Sequence, residues 1–277
     1  MNSLKPKKSG LFTWSFESYG AVIRIESNSP DFITQAEAVA RHSLLSNVTT
    51  VTNKRKPDQI IELTKSKSGN YRFVYNGKYL ASGRSRKKLF KFFDTIVRVS
   101  VGESAKNFVF IHAGAVGWKG RAILFPGDSF TGKSTLVAAL VKNGAEYYSD
   151  DFAILDNEGL LQPFARAISM RTDDDNYVPY ELSIEKLGGA VGKKLIPVGL
   201  ILFTAYGARK KWSPKFLTPG HGILELVPFI LSFKPQPEFS LKVLNKVIDN
   251  AIIASSSRGN ADYFAKTLLG FFDKTRG

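Results

Sequence analysis

The residues with the clearest chemical potential form a short glycine-rich segment that ends in Lys and Ser. Residues 127–134 read Gly-Asp-Ser-Phe-Thr-Gly-Lys-Ser, which matches the phosphate-binding pattern G-x-x-x-x-G-K-[ST] at every position. Glycines let the backbone curl so that several N–H groups point at one anion. We therefore predict a nucleoside triphosphate site formed by Gly127, Asp128, Ser129, Phe130, Thr131, Gly132, Lys133, Ser134 and Thr135.

The elements on either side of this segment are those that a phosphate-binding loop requires. The apolar run 122–125 predicts a strand directly before it, and residues 133–143 predict a helix directly after it. Gly144 follows where a left-handed helix C-cap is expected. In this setting Lys133 would reach the β- and γ-phosphates, and the Ser134 hydroxyl would bind Mg²⁺.

Two adjacent acids follow the predicted helix. Asp150 and Asp151 lie within the strand-like run 146–155, and Asp150 comes 17 residues after Lys133. In a strand–helix–strand unit this second strand can neighbour the first and bring an acid to the loop. Adjacent residues of a regular strand point to opposite faces. Either the chain bends here or only one acid faces a metal ion.

The order and close spacing of three motifs resemble the catalytic core of HPr kinase/phosphorylase and related bacterial kinases, with phosphoenolpyruvate carboxykinase as a more distant relative. The motifs are His112-Ala-Gly, the segment 127–135 and Ser149-Asp-Asp. The resemblance covers residues 108–172, about a quarter of the chain. It implies an α/β fold with a P-loop-containing nucleotide-binding core, and an ATP-dependent kinase that uses Mg²⁺.

The resemblance also implies roles for single residues. Asp150 would act as the base on the acceptor hydroxyl, His112 would tune that base, and Asp151 would help Ser134 to hold the metal. Lys133 is expected to act in catalysis through the transferred phosphate.

Phosphoryl transfer commonly uses a further cation over the developing charge. Arg166 and Arg171 follow the acidic run closely enough to supply it, and Arg171 is the residue we predict. The alternative is a strand that carries two exposed arginines.

The chain departs from the HPr kinase pattern at two points. Thr135 stands where the bifunctional enzymes carry Glu, and their second motif, a Gly-Arg-Asn-rich stretch downstream, has no match. These departures predict a related kinase with a different acceptor.

The first hundred residues predict a separate α+β region. An apolar run at 12–27 has strand character, and a helix is expected from Ser29-Pro30. Asn76-Gly77 between two strand-like runs predicts a hairpin, and a basic amphipathic helix is expected from Ser85 to Val101. We place the boundary near residue 104, which gives region 1–104 and a kinase domain at 105–277.

Composition limits the classes of protein. The chain has 277 residues, no Cys and a net charge of +15. Without Cys there is no disulfide framework and no thiolate ligand, which agrees with a cytoplasmic protein. No apolar run reaches the roughly 20 residues of a membrane-spanning helix. Zinc-finger and RNP motifs are absent, so nucleic acid is not the expected partner.

The charge is concentrated in the first region. Residues 1–100 hold 18 Lys and Arg against 7 Asp and Glu. Such an excess could attract an acidic partner or simply be a solvated surface.

The leading prediction is a Mg·ATP-dependent kinase that acts on a hydroxyl of a peptide, a protein or a small molecule. The alternative is an ATP-binding regulatory module whose basic first region contacts an acidic partner. A carboxykinase-like enzyme is a third possibility. A homo-oligomer is compatible with each of them.

Overall fold

The structure, a computed structural model, describes residues 10–171, 179–207 and 211–275. It is a mixed α/β protein whose chain divides between Asn107 and Phe108 into two compact units. Among the described helices, none is long and apolar enough to cross a membrane. The separate roles expected for the two regions remain predictions.

The first unit combines one sheet with two helices in its described part. The elements are β1 (Phe12–Ser18), β2 (Ala21–Ser27), α1 (Pro30–Ser43), β3 (Thr49–Val51), β4 (Gln59–Lys65), β5 (Tyr71–Tyr75), β6 (Lys78–Gly83) and α2 (Arg86–Ser104). The described strands follow the order β3-β1-β2-β4-β5-β6, in which β2 and β4 pair in parallel and the other neighbours pair antiparallel.

Local sequence signals explain these elements. Asn76 and Gly77 join β5 to β6 with positive φ values of 49° and 76°, which confirms the predicted hairpin. The Ser85 side chain caps α2 by accepting a hydrogen bond from the Lys88 backbone N–H at 3.2 Å. Helix α2 buries an apolar face that includes Phe93 and Val97, as its spacing predicts.

The second unit is built on a larger mixed sheet. Its strands are β7 (Val109–Trp118), β8 (Arg121–Pro126), β9 (Glu146–Ser149), β10 (Phe152–Leu155), β11 (Leu160–Gln162), β14 (Ile196–Tyr206), β15 (Lys215–Phe216) and β16 (Ile252–Arg258), and a separate pair is formed by β12 (Ile168–Arg171) and β13 (Pro179–Leu182). The described strands of the larger sheet follow the order β11-β10-β7-β8-β14-β16-β15, with β9 also paired to β7. The helices are α3 (Lys133–Lys142), α4 (Pro219–Leu226), α5 (Pro237–Ile248) and α6 (Ala261–Lys274), with short 3-10 turns at Glu185–Leu187 and Val227–Phe229.

The centre of this sheet is parallel and covered on both faces. Strands β8, β14 and β16 run parallel to one another. Helices α3 and α6 pack with one set of strand residues, which includes Leu200 and Leu202. Helices α4 and α5 pack with the other set, which includes Ile201. Because parallel strands end at the same edge, the carboxyl ends of β8, β14 and β16 share one edge of the sheet.

The predicted strand 146–155 is two strands. It breaks between β9 and β10, and Asp150 and Asp151 lie at the break. Of the two arrangements left open by the sequence, the bend is the one that occurs.

A glycine allows α3 to lie close to the sheet. A Cβ built at Gly114 of β7 would come 2.7 Å from Cγ2 of Val137 in α3. Contacts that short do not occur, so a side chain at Gly114 would push α3 away from β7. The position of α3 matters because its first residues are Lys133 and Ser134.

We expect Gly114→Ala to lower the free energy of unfolding by about 1–3 kcal/mol, because it overpacks a closed core. Gly270→Ala is the matched control, since a Cβ at Gly270 in α6 meets no atom within 4 Å. In an open helix position Ala is favoured over Gly by roughly 0.5–1 kcal/mol. Urea unfolding of both variants measures the difference, and equal stabilities would contradict the close packing.

Candidate phosphate-binding and catalytic site

A glycine-rich loop, residues 127–132, joins the end of β8 to the start of α3. Gly132 and Phe130 both have positive φ, 80° and 71°. The Thr131 hydroxyl closes the turn by donating to the Asp128 carbonyl at 2.8 Å. Gly132 is the N-cap of α3 and provides no side-chain hydrogen bond. The first-turn N–H groups of α3 are thus left without a side-chain cap at the positive end of the helix dipole, an arrangement suited to an anion.

Lys133 is a buried cation folded back onto this loop. Its side chain is 8% exposed, and Nζ donates to the carbonyls of Gly127 at 2.6 Å and Asp128 at 2.7 Å. Burial lowers the pKa of Lys133, and the neighbouring carboxylates, Asp151 first, oppose that shift. Lys133 therefore lies at the concave side of the loop, where its ammonium can exchange carbonyl partners for an anion.

Asp150 is the best-anchored acid at the break between β9 and β10. It is 7% exposed. Its Oδ2 accepts from the Ser134 hydroxyl at 2.9 Å and from the Ser169 backbone N–H at 3.0 Å, and its Oδ1 accepts from the Tyr147 hydroxyl at 2.9 Å. Burial raises the pKa of Asp150, whereas the hydrogen bonds from Ser134 and Tyr147 lower it. Asp150 is thus fixed directly against Ser134.

Asp151 occupies a different environment from its neighbour. It is half-buried, and its backbone is fixed because its N–H donates to Ser149 Oγ at 3.2 Å and its carbonyl accepts from the Ala113 N–H at 3.2 Å. Its carboxylate raises the pKa of both Lys133 and His112. Asp151 therefore faces the cationic side of the site, next to the histidine.

His112 lies on β7, beside the start of the loop. Its backbone carbonyl accepts from the Gly127 N–H at 3.4 Å, and its ring centroid lies 5.9 Å from that of Phe152. Burial lowers the pKa of His112 and the positive charge of Lys133 lowers it further, against smaller effects of Asp151 and Asp128. The neutral imidazole is therefore the favoured form at neutral pH.

The structure brings most of the predicted site residues together. Lys133, Ser134, Asp150, Asp151 and His112 all surround the loop. Asp128, Ser129, Phe130 and Thr135 lie on it or directly after it with exposed side chains. Residue 171 ends strand β12, but the side chain of Arg171 lies outside the described residues. Its predicted catalytic role stays a prediction.

Oxygen ligands for a cation are few at this site. No group of three or more His, Cys, Asp and Glu able to hold a metal occurs in the part of the chain that the structure describes. The Ser134 hydroxyl and the Asp150 carboxylate are in contact, and hard oxygen donors of these two kinds suit Mg²⁺, which keeps waters and substrate phosphates as its other ligands.

Comparisons with known proteins add little. No family model matches the chain, and no curated protein matches it. Among solved structures, the chain is similar to the Hpr(Ser) kinase/phosphatase from Coxiella burnetii, with a TM-score of 0.34 and 14% identity over 61% of this chain and 99% of that one. Neither the fold class nor the geometry of the site depends on that similarity.

Arg258 belongs to the same site, although sequence analysis assigned it no role. It ends β16 and is 2% exposed. Its Nη2 donates to the carbonyls of Gly132 at 2.9 Å and Thr131 at 3.2 Å. The signal in the sequence is a cation at the end of an apolar strand, and a contact with Gly132, 126 positions away, cannot be read from it.

The charge of Arg258 has no carboxylate partner among the described residues. Its Nε makes no hydrogen bond, and its guanidinium lies 5.3 Å from the centroid of the Tyr206 ring. Burial lowers the pKa of Arg258. A buried charge of this kind is costly unless something compensates it, and an anion held by the loop would do so. Arg258 thus supports the loop and adds positive potential beneath it.

We expect Arg258→Met to weaken binding of inorganic pyrophosphate about tenfold, equivalent to ~1.4 kcal/mol, because the loop loses both a support and a charge. Arg121→Met is the matched control, since the Arg121 guanidinium donates instead to the carbonyl of Asn250. Isothermal titration calorimetry measures both. Equal affinities in the two variants would contradict the role of Arg258.

We also expect Lys133→Met to raise the pKa of His112, because removal of a neighbouring positive charge favours the imidazolium. In the wild type the His112 resonances should titrate below the ordinary value of 6.5. Lys142→Met, at the far end of α3, should leave the titration unchanged. NMR of the imidazole resonances across pH measures each case, and an unmoved titration in Lys133→Met would refute the proximity.

Proposed function

We propose that the glycine-rich loop is a P-loop and that this protein is a Mg·ATP-dependent kinase that transfers the γ-phosphoryl group to a hydroxyl. The observation that carries the proposal is the 2.9 Å hydrogen bond between Ser134, the residue after the loop lysine, and the buried Asp150. A hydroxyl and a carboxylate held together at the start of a helix form the metal-binding half of a nucleotide site. The resemblance of the sequence motifs to HPr kinases supports the same conclusion.

The loop residues bind and orient the triphosphate in this proposal. The uncapped N–H groups of α3 and the Lys133 ammonium contact the phosphates, and Arg258 balances their charge from below. Ser134 and Asp150 would hold Mg²⁺, which supplies charge neutralisation at the β- and γ-phosphates. Lys133 then stabilises the charge that develops on the transferred group.

The contacts favour an exchange of the roles expected for the two acids. Asp150 accepts three hydrogen bonds, from Ser134, Tyr147 and the Ser169 N–H, and these hold its carboxylate at Ser134, on the metal side of the proposed site. Asp151 is half-buried, and its charge acts on the Lys133 ammonium. We therefore propose Asp151 as the base that accepts the proton of the acceptor hydroxyl.

His112 completes the proton path in this proposal. Its imidazole, kept neutral by burial and by Lys133, can orient the Asp151 carboxylate and then accept the proton that Asp151 has taken from the acceptor hydroxyl.

Substitution of Asp150 and substitution of Asp151 should have different effects on binding and on transfer. Asp151→Asn should keep Mg·ATP affinity within about twofold and reduce transfer by roughly 10²–10⁴, the usual contribution of a general base. Asp150→Asn should remove most of the Mg²⁺-dependent gain in ATP affinity. Asp249→Asn, an exposed acid at the end of α5, is the control. Calorimetry with and without Mg²⁺, and ADP release with an acceptor, provide the measurements.

The opposite pattern would restore the roles expected from the sequence. If Asp150→Asn abolishes transfer with full Mg·ATP affinity while Asp151→Asn loses that affinity, Asp150 is the base and Asp151 the metal ligand. Absence of any Mg·ATP binding in the wild type would overturn the kinase proposal itself.

A regulatory module that binds ATP is the second candidate, favoured by the basic start of α2 in the first unit. Arg86, Lys87 and Lys88 are exposed in its first turn, which contains no acid. Cations at the positive end of a helix dipole are unfavourable by about 0.3–1 kcal/mol each, and an acidic partner would relieve this. ATP-dependent binding of an acidic partner that persists in Asp151→Asn, without transfer, would identify this function.

A further inference from the structure

A cavity of about 670 Å³ opens beside the loop in the second unit. We propose that it binds the phosphoryl acceptor and that this acceptor is a small, anionic, hydroxyl-bearing molecule and not a protein side chain. The inference rests on the proposed kinase function and specifies its substrate class. The cavity lies at the carboxyl ends of β14 and β16, the edge at which ligands of parallel sheets bind.

The cavity adjoins both parts of the catalytic site. Gly127 and Asp128 of the loop form one wall, and Phe229 forms another. Ile230 makes a bridge to Ile111 of β7, so Phe229 lies one residue beyond that bridge, level with His112. A molecule in the cavity therefore has the phosphate loop on one side and the strand of His112 on another.

The floor of the cavity is a row of unlike side chains across three strands. Phe203 of β14 pairs in register with Ser255 of β16, and Ser255 pairs with Lys215 of β15. Residues in register share a face, so these three side chains stand together. Ser257 follows two residues later on the same face. An apolar ring, hydroxyls and an ammonium thus lie side by side.

The polar groups of this floor are available to a ligand. The side chains of Ser255, Ser257, Lys211 and Lys215, all residues that line the cavity, make no hydrogen bond or ion pair with any other residue in the described ranges. Two such hydroxyls and two such ammonium groups along one cavity favour a ligand that carries a carboxylate or a phosphate.

Two acidic residues, Asp128 and Glu225, also line the cavity. Asp128 lies on the loop, where its charge acts on Lys133 and His112, so it belongs to the phosphate end. Glu225 of α4 is exposed and leaves the opposite end, with Lys211 and Lys215, positive on balance. The acceptor would place its anionic group at the lysines and its hydroxyl toward the loop.

The volume argues for a whole small molecule. Sites for small ligands have volumes of about 300–1,000 Å³, and the cavity falls within that range. If the acceptor were one serine side chain of a protein substrate, most of the cavity would stay empty and the lysine ammonium groups of the cavity would stay unpaired.

The transfer step balances with these groups alone. The acceptor oxygen attacks the γ-phosphorus and forms a new P–O bond, while the bond from that phosphorus to the β,γ-bridging oxygen breaks. The hydroxyl proton passes to Asp151, and ADP leaves with the bonding electron pair. The products are the phosphate ester of the acceptor, ADP and one proton.

Radiolabel transfer from [γ-³²P]ATP tests the proposal. The full chain is incubated with two fractions of a lysate of its source cells, one of low-molecular-weight metabolites and one of proteins. Lys215→Met removes an ammonium from the floor, and Ala205→Phe fills the cavity from an exposed position on β14. Lys266→Met, an exposed lysine on α6, is the matched control, and Mg·ATP affinity is measured for every variant.

We expect an anionic labelled product in the metabolite fraction. Lys215→Met and Ala205→Phe should each reduce it about tenfold or more, with Mg·ATP affinity unchanged, and Lys266→Met should match the wild type. Label only in the protein fraction would overturn the small-molecule acceptor, and label that ignores both cavity variants would overturn the cavity as its site. No Mg·ATP binding, or binding without label in either fraction, would instead contradict the kinase function.

Discussion

The structure of the site depends on one hydrogen bond, that between the Ser134 hydroxyl and the buried carboxylate of Asp150. It joins the first turn of α3 to the break between β9 and β10, two places that belong to different elements. Tyr147 and the Ser169 N–H fix the same carboxylate from other directions. If this buried carboxylate moved far, the donors that now bond to its two oxygens would lose their hydrogen-bond partner, which is costly in a buried place. The relative position of loop and acids is therefore set before any ligand binds.

The remaining charges of the site are arranged around that fixed point. Lys133 rests on two carbonyls of the loop, and Arg258 supports two more from the opposite side. Within the ranges that the structure describes, neither cation forms an ion pair with a carboxylate. Both would therefore attract a bound anion, and burial would strengthen that attraction because little water remains to screen it. The residues that would bind the anion are thus the same residues that hold the loop in place before the anion binds.

Much of this could be predicted from the sequence because the signals are local. The strand, loop and helix around Lys133 follow from consecutive residues, and so does the hairpin at Asn76-Gly77. The break at Asp150 and Asp151 could be stated only as one of two alternatives, because propensity cannot tell a kinked strand from a straight one. For the same reason the sequence does not predict which of the two acids bonds to Ser134, because that depends on the direction of the chain at the break. Arg258 gave no usable signal, because its partners are distant in sequence and are backbone carbonyls, which any residue type provides.

The long sequence separation between Arg258 and the loop has a consequence for the order in which the protein folds. The strand–loop–helix around Lys133 consists of neighbouring residues and can form early, but the guanidinium beneath the loop is 126 residues away from Gly132 along the chain. Contacts of such long sequence separation carry a larger loop-closure entropy cost than local contacts, which favours their later formation. A growing chain would therefore contain the loop well before it contains Arg258, which holds the loop. The part of the proposed anion affinity that Arg258 provides would then be acquired only when β16 docks beside β14.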